Sequence, residues 1–229
     1  MINTRSFVIS IILAMLFMPL IHAQDLSSYR GFQLGMSLPA AAKQAEINPS
    51  EAKVIYQRPA AIQELEWRPE SSYDPSAPGD PVKEVLFSFY NGELYRIVVG
   101  YDRNRTEGLT DEDLIDGISA KYGTPTTPVA KIISSPSSQV FSDSAKVIAR
   151  WEDSQYSLNL FRFTYGSSPG MLIFSKRLDA LAQVAIVQAI RLNQQEAPQR
   201  EIERLKKQDE EKNVAGQKVR PVNKANFRP

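Results

Sequence analysis

Glu64 and Glu66 alternate along Ile62-Gln-Glu-Leu-Glu-Trp67, a run whose period of two predicts a strand. Both carboxylates then fall on one face, just ahead of a tryptophan. Carboxylates two residues apart on a strand lie roughly 7 Å from one another, within the range that acid–base cleavage of a glycosidic bond requires. The competing reading is a solvated strand face on which Arg68 and nearby lysines neutralise them, and it is the one preferred, because exposed faces of antiparallel strands are polar in any case. A second carboxylate group, Asp111, Glu112, Asp113 and Asp116, crowds the start of a helix. It lacks the spaced acidic pattern and central glycine of a calcium loop, so it reads as favourable charge at a helix N-terminus.

Much other chemistry is excluded by composition. The chain has no cysteine, and its one histidine, His22, lies in a leader-like segment. That segment has Arg5 ahead of an apolar run from Phe7 to Ile21, and Ala23 before Gln24. A basic start, a short apolar core and a small residue at the exit predict a signal peptide over 1–23 and an exported protein, periplasmic or secreted. Without a cysteine after the apolar core, a diacylglyceryl anchor is ruled out, and no transmembrane anchor is expected in the mature chain. Cleavage removes Arg5 and His22 and leaves basic and acidic residues in balance, with no excess that would draw the whole protein to a polyanion. A mature chain with neither His nor Cys cannot build a Ser-His-Asp or Cys-His nucleophile or the usual zinc sites. It also offers no His or Cys ligand for haem and no thiolate for an iron–sulfur cluster. No cofactor or metal is expected.

The elements that would position the remaining groups can be read along the chain. Tyr29 to Met36 is a short strand or ordered lead-in, and Ser37 is an N-cap with Pro39 in the first turn of a helix that ends before Asn48-Pro49. Val54–Tyr56 and Ile62–Trp67 read as strands, and Glu70 to Pro81 as a surface loop. Val85–Tyr90 and Glu93–Tyr101 form a hairpin across Asn91-Gly92, a pair that favours a type I′ turn. Thr110 and Asp113 resemble a capping box that opens a second helix, with Leu109, Leu114, Ile115, Ile118 and Tyr122 on roughly one face and Gly123 as the stop. Strands are expected over 129–133, 146–151, 156–165 and 171–174, then an apolar helical stripe from Leu178 to Ile190. The aromatics Phe87, Phe89, Tyr95, Tyr101, Phe161, Phe163 and Tyr165 fall at strand alternation and read as sheet core rather than as a base-stacking platform.

The order helix–strands, helix–strands, helix carries a degenerate repeat. Gly35-Met36-Ser37 and Gly108-Leu109-Thr110 open the two helices at an offset of 73 residues, and Trp67 and Trp151 sit on the strands that follow. A second alignment competes, because Ala-Lys-Val-Ile recurs at 52 and 145. The expected fold is α+β: antiparallel sheet or sheets from two helix-plus-three-strand modules, residues 24–105 and 106–195, either separate or continuous. A C-terminal packing helix and a flexible charged tail over 196–229 would follow. A Gly-Met-Ser opening to a short helix, then three antiparallel strands with Trp near the end of the first, resembles the SmpA/OmlA outer-membrane-assembly lipoproteins. Duplicated, it resembles the β-lactamase-inhibitor-protein fold. The opening Tyr29-Arg-Gly-Phe-Gln-Leu-Gly-Met36 and the block around Asn91-Gly92 are similar to small exported bacterial proteins of unassigned activity. The resemblance implies a fold and a bias toward binding other proteins.

The favoured function is therefore an exported, non-catalytic binding or cell-envelope interaction protein, with another envelope or secreted protein as partner and no nucleic acid. A carboxylate-dependent glycan hydrolase is the first alternative and an inhibitor of a secreted enzyme the second. Trp67, Tyr90, Arg96, Arg103, Arg105 and Trp151 are the candidate binding surface. Lys218, Arg220, Lys224 and Arg228, in a tail segment without acids, are candidates for attachment to an anionic envelope surface.

Overall fold

The hydrophobic alternation assembles into one continuous antiparallel sheet. A computed structural model describes residues 25–69, 79–126, 145–163, 168–226 and 228. The leader, the strand expected over 129–133, most of the 70–81 loop and Tyr165 lie outside the described residues. The strands are β1 (Ser28–Tyr29), β2 (Phe32–Gln33), β3 (Lys53–Tyr56), β4 (Ile62–Trp67), β5 (Val82–Tyr90), β6 (Glu93–Tyr101), β7 (Ala145–Glu152), β8 (Tyr156–Phe163) and β9 (Pro169–Ser175). The helices are α1 (Leu38–Gln44), α2 (Asp111–Tyr122) and α3 (Lys176–Asn226). β1 and β2 make a small hairpin, and the other seven strands form one sheet in the order β3-β4-β5-β6-β9-β8-β7. The fold is α+β, and the two modules share a sheet rather than packing as separate ones.

The register carries an internal two-fold relation. β6 pairs with β9 antiparallel, so α1-β4-β5-β6 and α2-β7-β8-β9 meet at their last strands. Val98 faces Leu172 at the centre of that seam. One row to one side runs Trp67, Val85, Val99, Met171, and one row to the other runs Trp151, Leu158, Ile173, Ile97. Trp67 and Trp151 are thus counterparts at opposite ends of the sheet. The helix starts match as well: Gly35 and Gly108 both adopt positive φ, 90° and 81°, and Ser37 and Thr110 are the N-caps. The offset of 73 residues is the structural one. The tetrapeptide repeat is not, since Lys53 to Ile55 of its first copy lie in the extra strand β3.

Local chemistry sets the elements. Asn91 and Gly92 take φ of 48° and 83°, both positive as a type I′ turn requires. Asn91 also locks this turn to the β3–β4 loop, accepting from the Ala61 N–H at 2.9 Å and donating its own N–H to the Ala61 carbonyl at 2.8 Å. At α2 the capping box closes, with Asp113 N–H donating to Thr110 Oγ1 at 3.2 Å and Thr110 N–H to Asp113 Oδ2 at 2.9 Å. Tyr122 is buried, and Leu114, Ile115 and Ile118 pack against the core; Leu109, expected on that face, precedes the helix and is exposed.

The two sheet faces are covered differently. α1, α2 and the β1–β2 hairpin bury one face around Leu65, Phe87, Phe89, Ile97, Trp151 and Leu160. The first turns of α3 cover part of the other, through Leu178 and Ala182 on Ile62 and Tyr95. Opposite the bond between Ser88 and Phe89, β6 carries a bulge at Tyr95. A bulge turns two successive side chains to one face, so Tyr95 and Arg96 both meet α3. Segment 196–226, expected as a flexible tail, continues α3 as helix with every side chain from Ala197 to Asn226 exposed. Strong helix formers and ion pairs such as Arg204–Glu201 at 2.6 Å favour this conformation. Pro198 removes the N–H that would reach the Gln194 carbonyl, and in the same turn Arg200 Nη2 donates to the Asn193 carbonyl at 2.9 Å. Among the described residues no helix is long and apolar enough to cross a membrane.

Candidate functional site

Among the described residues a broad recess lies along the outer edge of β4, where a neighbouring strand stops short. β3 pairs with β4 only from Ile62 to Glu64, whereas β5 pairs along the whole of β4 to Trp67. From Leu65 onward, β4 has a strand partner on one side only among the described residues. The reason is in the preceding chain. α1 ends in a Schellman motif, with Glu46 N–H donating to Lys43 O at 3.2 Å and Ile47 N–H to Ala42 O at 2.9 Å. Glu46 occupies the left-handed position of that motif at φ 57°, which usually belongs to glycine. Asn48 then caps a single 3-10 turn, Pro49–Glu51, accepting from Ser50 N–H at 2.9 Å while Glu51 accepts from Asn48 N–H at 3.2 Å. This turn holds the chain away from β4 until Lys53.

The gap is a cleft of about 880 Å³. One wall is the end of α1, Gln44 to Ile47, with Trp67; the other carries Lys53, Glu64, Glu66 and Leu86. Trp67 is held by Phe32 and Phe87, at ring-centroid distances of 5.3 and 6.5 Å. Glu64 and Glu66 share one strand face, as their alternation predicts, and both line the cleft. Their surroundings differ. Burial raises the Glu64 carboxyl above its ordinary value, against the opposing pull of Arg96 and Lys53. Glu66 is exposed and pairs with Arg68 at 2.6 Å, and Arg68 also approaches Glu84 at 3.8 Å. With Glu46 and Glu51 on the rim, the cleft has four carboxylates against Lys53 and Arg68.

Of the residues expected to form a binding surface, the structure brings only Trp67 to this cleft. Trp151 is fully buried, and its Nε1 donates to the Gly123 carbonyl at 2.6 Å. Arg96 is 9% exposed and forms a buried pair with Asp179 of α3, donating through Nε at 3.1 Å and also through Nη2. Both are corrected from surface to interior: a core aromatic and a sheet–helix clamp. Tyr90 is half-buried against the small cluster under α3. Arg103 and Arg105 lie in the turn after β6, away from the cleft. Lys218, Arg220 and Lys224 are exposed along the end of α3, and Arg228 is exposed beyond it. In the acidic group of α2, Asp111 accepts from Arg162 Nε at 2.6 Å. No group of side chains among the described residues is arranged to hold a metal ion. Sequence reasoning missed Glu46, Ile47, Glu51 and Lys53; the Asn48-Pro-Ser-Glu51 capping box was the available signal that the next strand would begin late.

Comparison with protein-family models, curated proteins and solved structures finds no match to this chain.

Proposed function

We propose that this is an exported, non-catalytic binding protein of the cell envelope, and that the cleft beside β4 is where it holds its partner. The observation that carries the reading is the open stretch of β4 from Leu65, next to a recess with an aromatic on one wall and carboxylates on the other. Recesses of this size with a few fixed polar groups are typical binding sites. The proposed export rests on the leader-like segment alone. To test the site, a photo-crosslinking residue is placed at Glu66 and, as a control, at Glu112 on the exposed side of α2. Discrete envelope-protein adducts from position 66 and none from 112 support the reading; adducts from 112 but not 66 overturn it.

Glycan hydrolysis has one observation in its favour: burial raises Glu64 while Arg68 pairs with Glu66, and unequal carboxyl environments are what acid–base catalysis uses. Against it, both groups project from one face of one strand, whereas glycosidase carboxyls flank the scissile bond. Release of reducing sugar from peptidoglycan that disappears in Glu64→Gln would favour the enzyme.

A further inference from the structure

Resting on that binding reading, we infer that the partner presents an extended basic segment, which adds to β4 along Leu65–Arg68 as a further strand with alternating basic and apolar side chains. The second module supplies an internal template. On β7, the counterpart of β4, the chain itself fills the outer edge beside Trp151. Thr126 N–H donates to the Arg150 carbonyl at 2.9 Å, and Glu152 N–H donates to Thr126 Oγ1 at 2.9 Å. The two-fold relation makes the equivalent β4 groups the Glu66 carbonyl and the Arg68 N–H. On β4 that row of pairing has ended at Glu64. A strand added there satisfies the same main-chain groups that Thr126 satisfies on β7, and strand addition is a general way to bind an extended chain.

The two walls define the side chains the segment must carry. Residues of an added strand alternate between faces. Those on the face of Glu64 and Glu66 meet carboxylates, with Glu51 on the rim, and favour lysine or arginine. Those on the opposite face meet Trp67 and Ile47 and favour apolar side chains. The central sheet row runs from Glu66 at one end to Arg150 at the other, so at that row the two edges carry opposite charges.

The experiment uses the mature chain and a capped Lys-Val-Lys-Val-Lys-Val peptide, followed by the fluorescence of Trp67, Trp151 being buried. Controls are the Glu-Val analogue and a Lys-Val peptide N-methylated at alternate residues, made in both phases. Saturable binding of the Lys-Val peptide is expected, weakened by salt. The Glu-Val analogue, and the N-methylated peptide in one phase, should bind at least tenfold more weakly, and Glu66→Lys should have a similar effect. Arg68→Ser should tighten binding several-fold, a gain that a misfolded protein could not produce. Equal binding of the Glu-Val analogue or of both N-methylated peptides would overturn the inference, as would failure of the Lys-Val peptide to bind. Crosslinking from position 66 combined with any of those failures would leave the binding reading standing and reject only the strand.

Discussion

Trp67 and Trp151 hold equivalent places on the first strands of the two modules, and the protein uses them differently. Beside Trp151, the chain leaving α2 passes Gly123 and lays Thr126 along β7, so the indole is sealed and its N–H is bonded. Beside Trp67, the chain leaving α1 is turned away by Glu46 and the Asn48 cap, so the same edge borders a cleft. Among the described residues, one module closes its edge beside its tryptophan and the other leaves it open from Leu65. The difference comes from the connection after each helix, not from the sheet, whose residues pair through matched rows in both halves. Open strand edges are a liability that proteins generally cover, and the stretch of β4 left uncovered among the described residues is lined with carboxylates.

If that contrast is real, the two tryptophans should cost very different amounts to remove. Trp151→Ala should destabilise the protein by about 3–5 kcal/mol, the range for a large buried aromatic. Trp67→Ala should cost less than half of that, since the ring is only partly buried. Urea unfolding measures both, and equal losses would break the comparison. The helix starts sharpen it from the other side. A Cβ at Gly35 or Gly108 would meet nothing within 4 Å, so each Gly→Ala change reports only the positive-φ strain. Both should cost about 1 kcal/mol; a marked inequality in the unfolding midpoints would mean that the two helix starts are not equivalent.

Glu46 is the smaller, one-sided case. Its left-handed conformation, φ 57°, suits glycine. Glu46→Gly should therefore raise stability by about 0.5–1 kcal/mol, gaining from relief of strain and losing part to the entropy of glycine in the unfolded chain. A destabilised variant would show that the carboxylate helps hold the loop. The smallest effect is the pH dependence at Glu64. Folding raises its pKa above the ordinary 4.5, so its favourable contribution is present below pH 4.5 and is lost as pH rises through the higher folded value. In Glu64→Gln that decline should disappear from stability curves measured upward from pH 4.5. An unchanged decline would assign it to another group.

Local signals were legible and long-range ones were not. The Asn91-Gly92 turn, the Ser37 cap, the Thr110–Asp113 box and the strand Ile62–Trp67 each depend on a few adjacent residues, and each formed where the sequence placed it. The alternation that puts Glu64 and Glu66 on one face was readable for the same reason. Arg96 looked like surface because nothing local pairs it; its partner Asp179 is 83 residues away and reaches it through a bulge. Trp67 and Trp151 give the same sequence signal, and only the path of Thr126 decides which one is sealed. From 196 onward the polar composition suits an exposed helix as well as a disordered tail, so composition alone does not separate the two.

Amide hydrogen exchange at two counterpart positions tests the central contrast most directly. Glu152 N–H, bonded to Thr126 Oγ1 at 2.9 Å, should be protected in the free protein, whereas Arg68 N–H, on the open edge, should exchange near the rate of an unstructured chain. Addition of the Lys-Val peptide should slow Arg68 and leave Glu152 unchanged. Equal protection of the two amides in the free protein would contradict the account, because the edge of β4 would then already be closed.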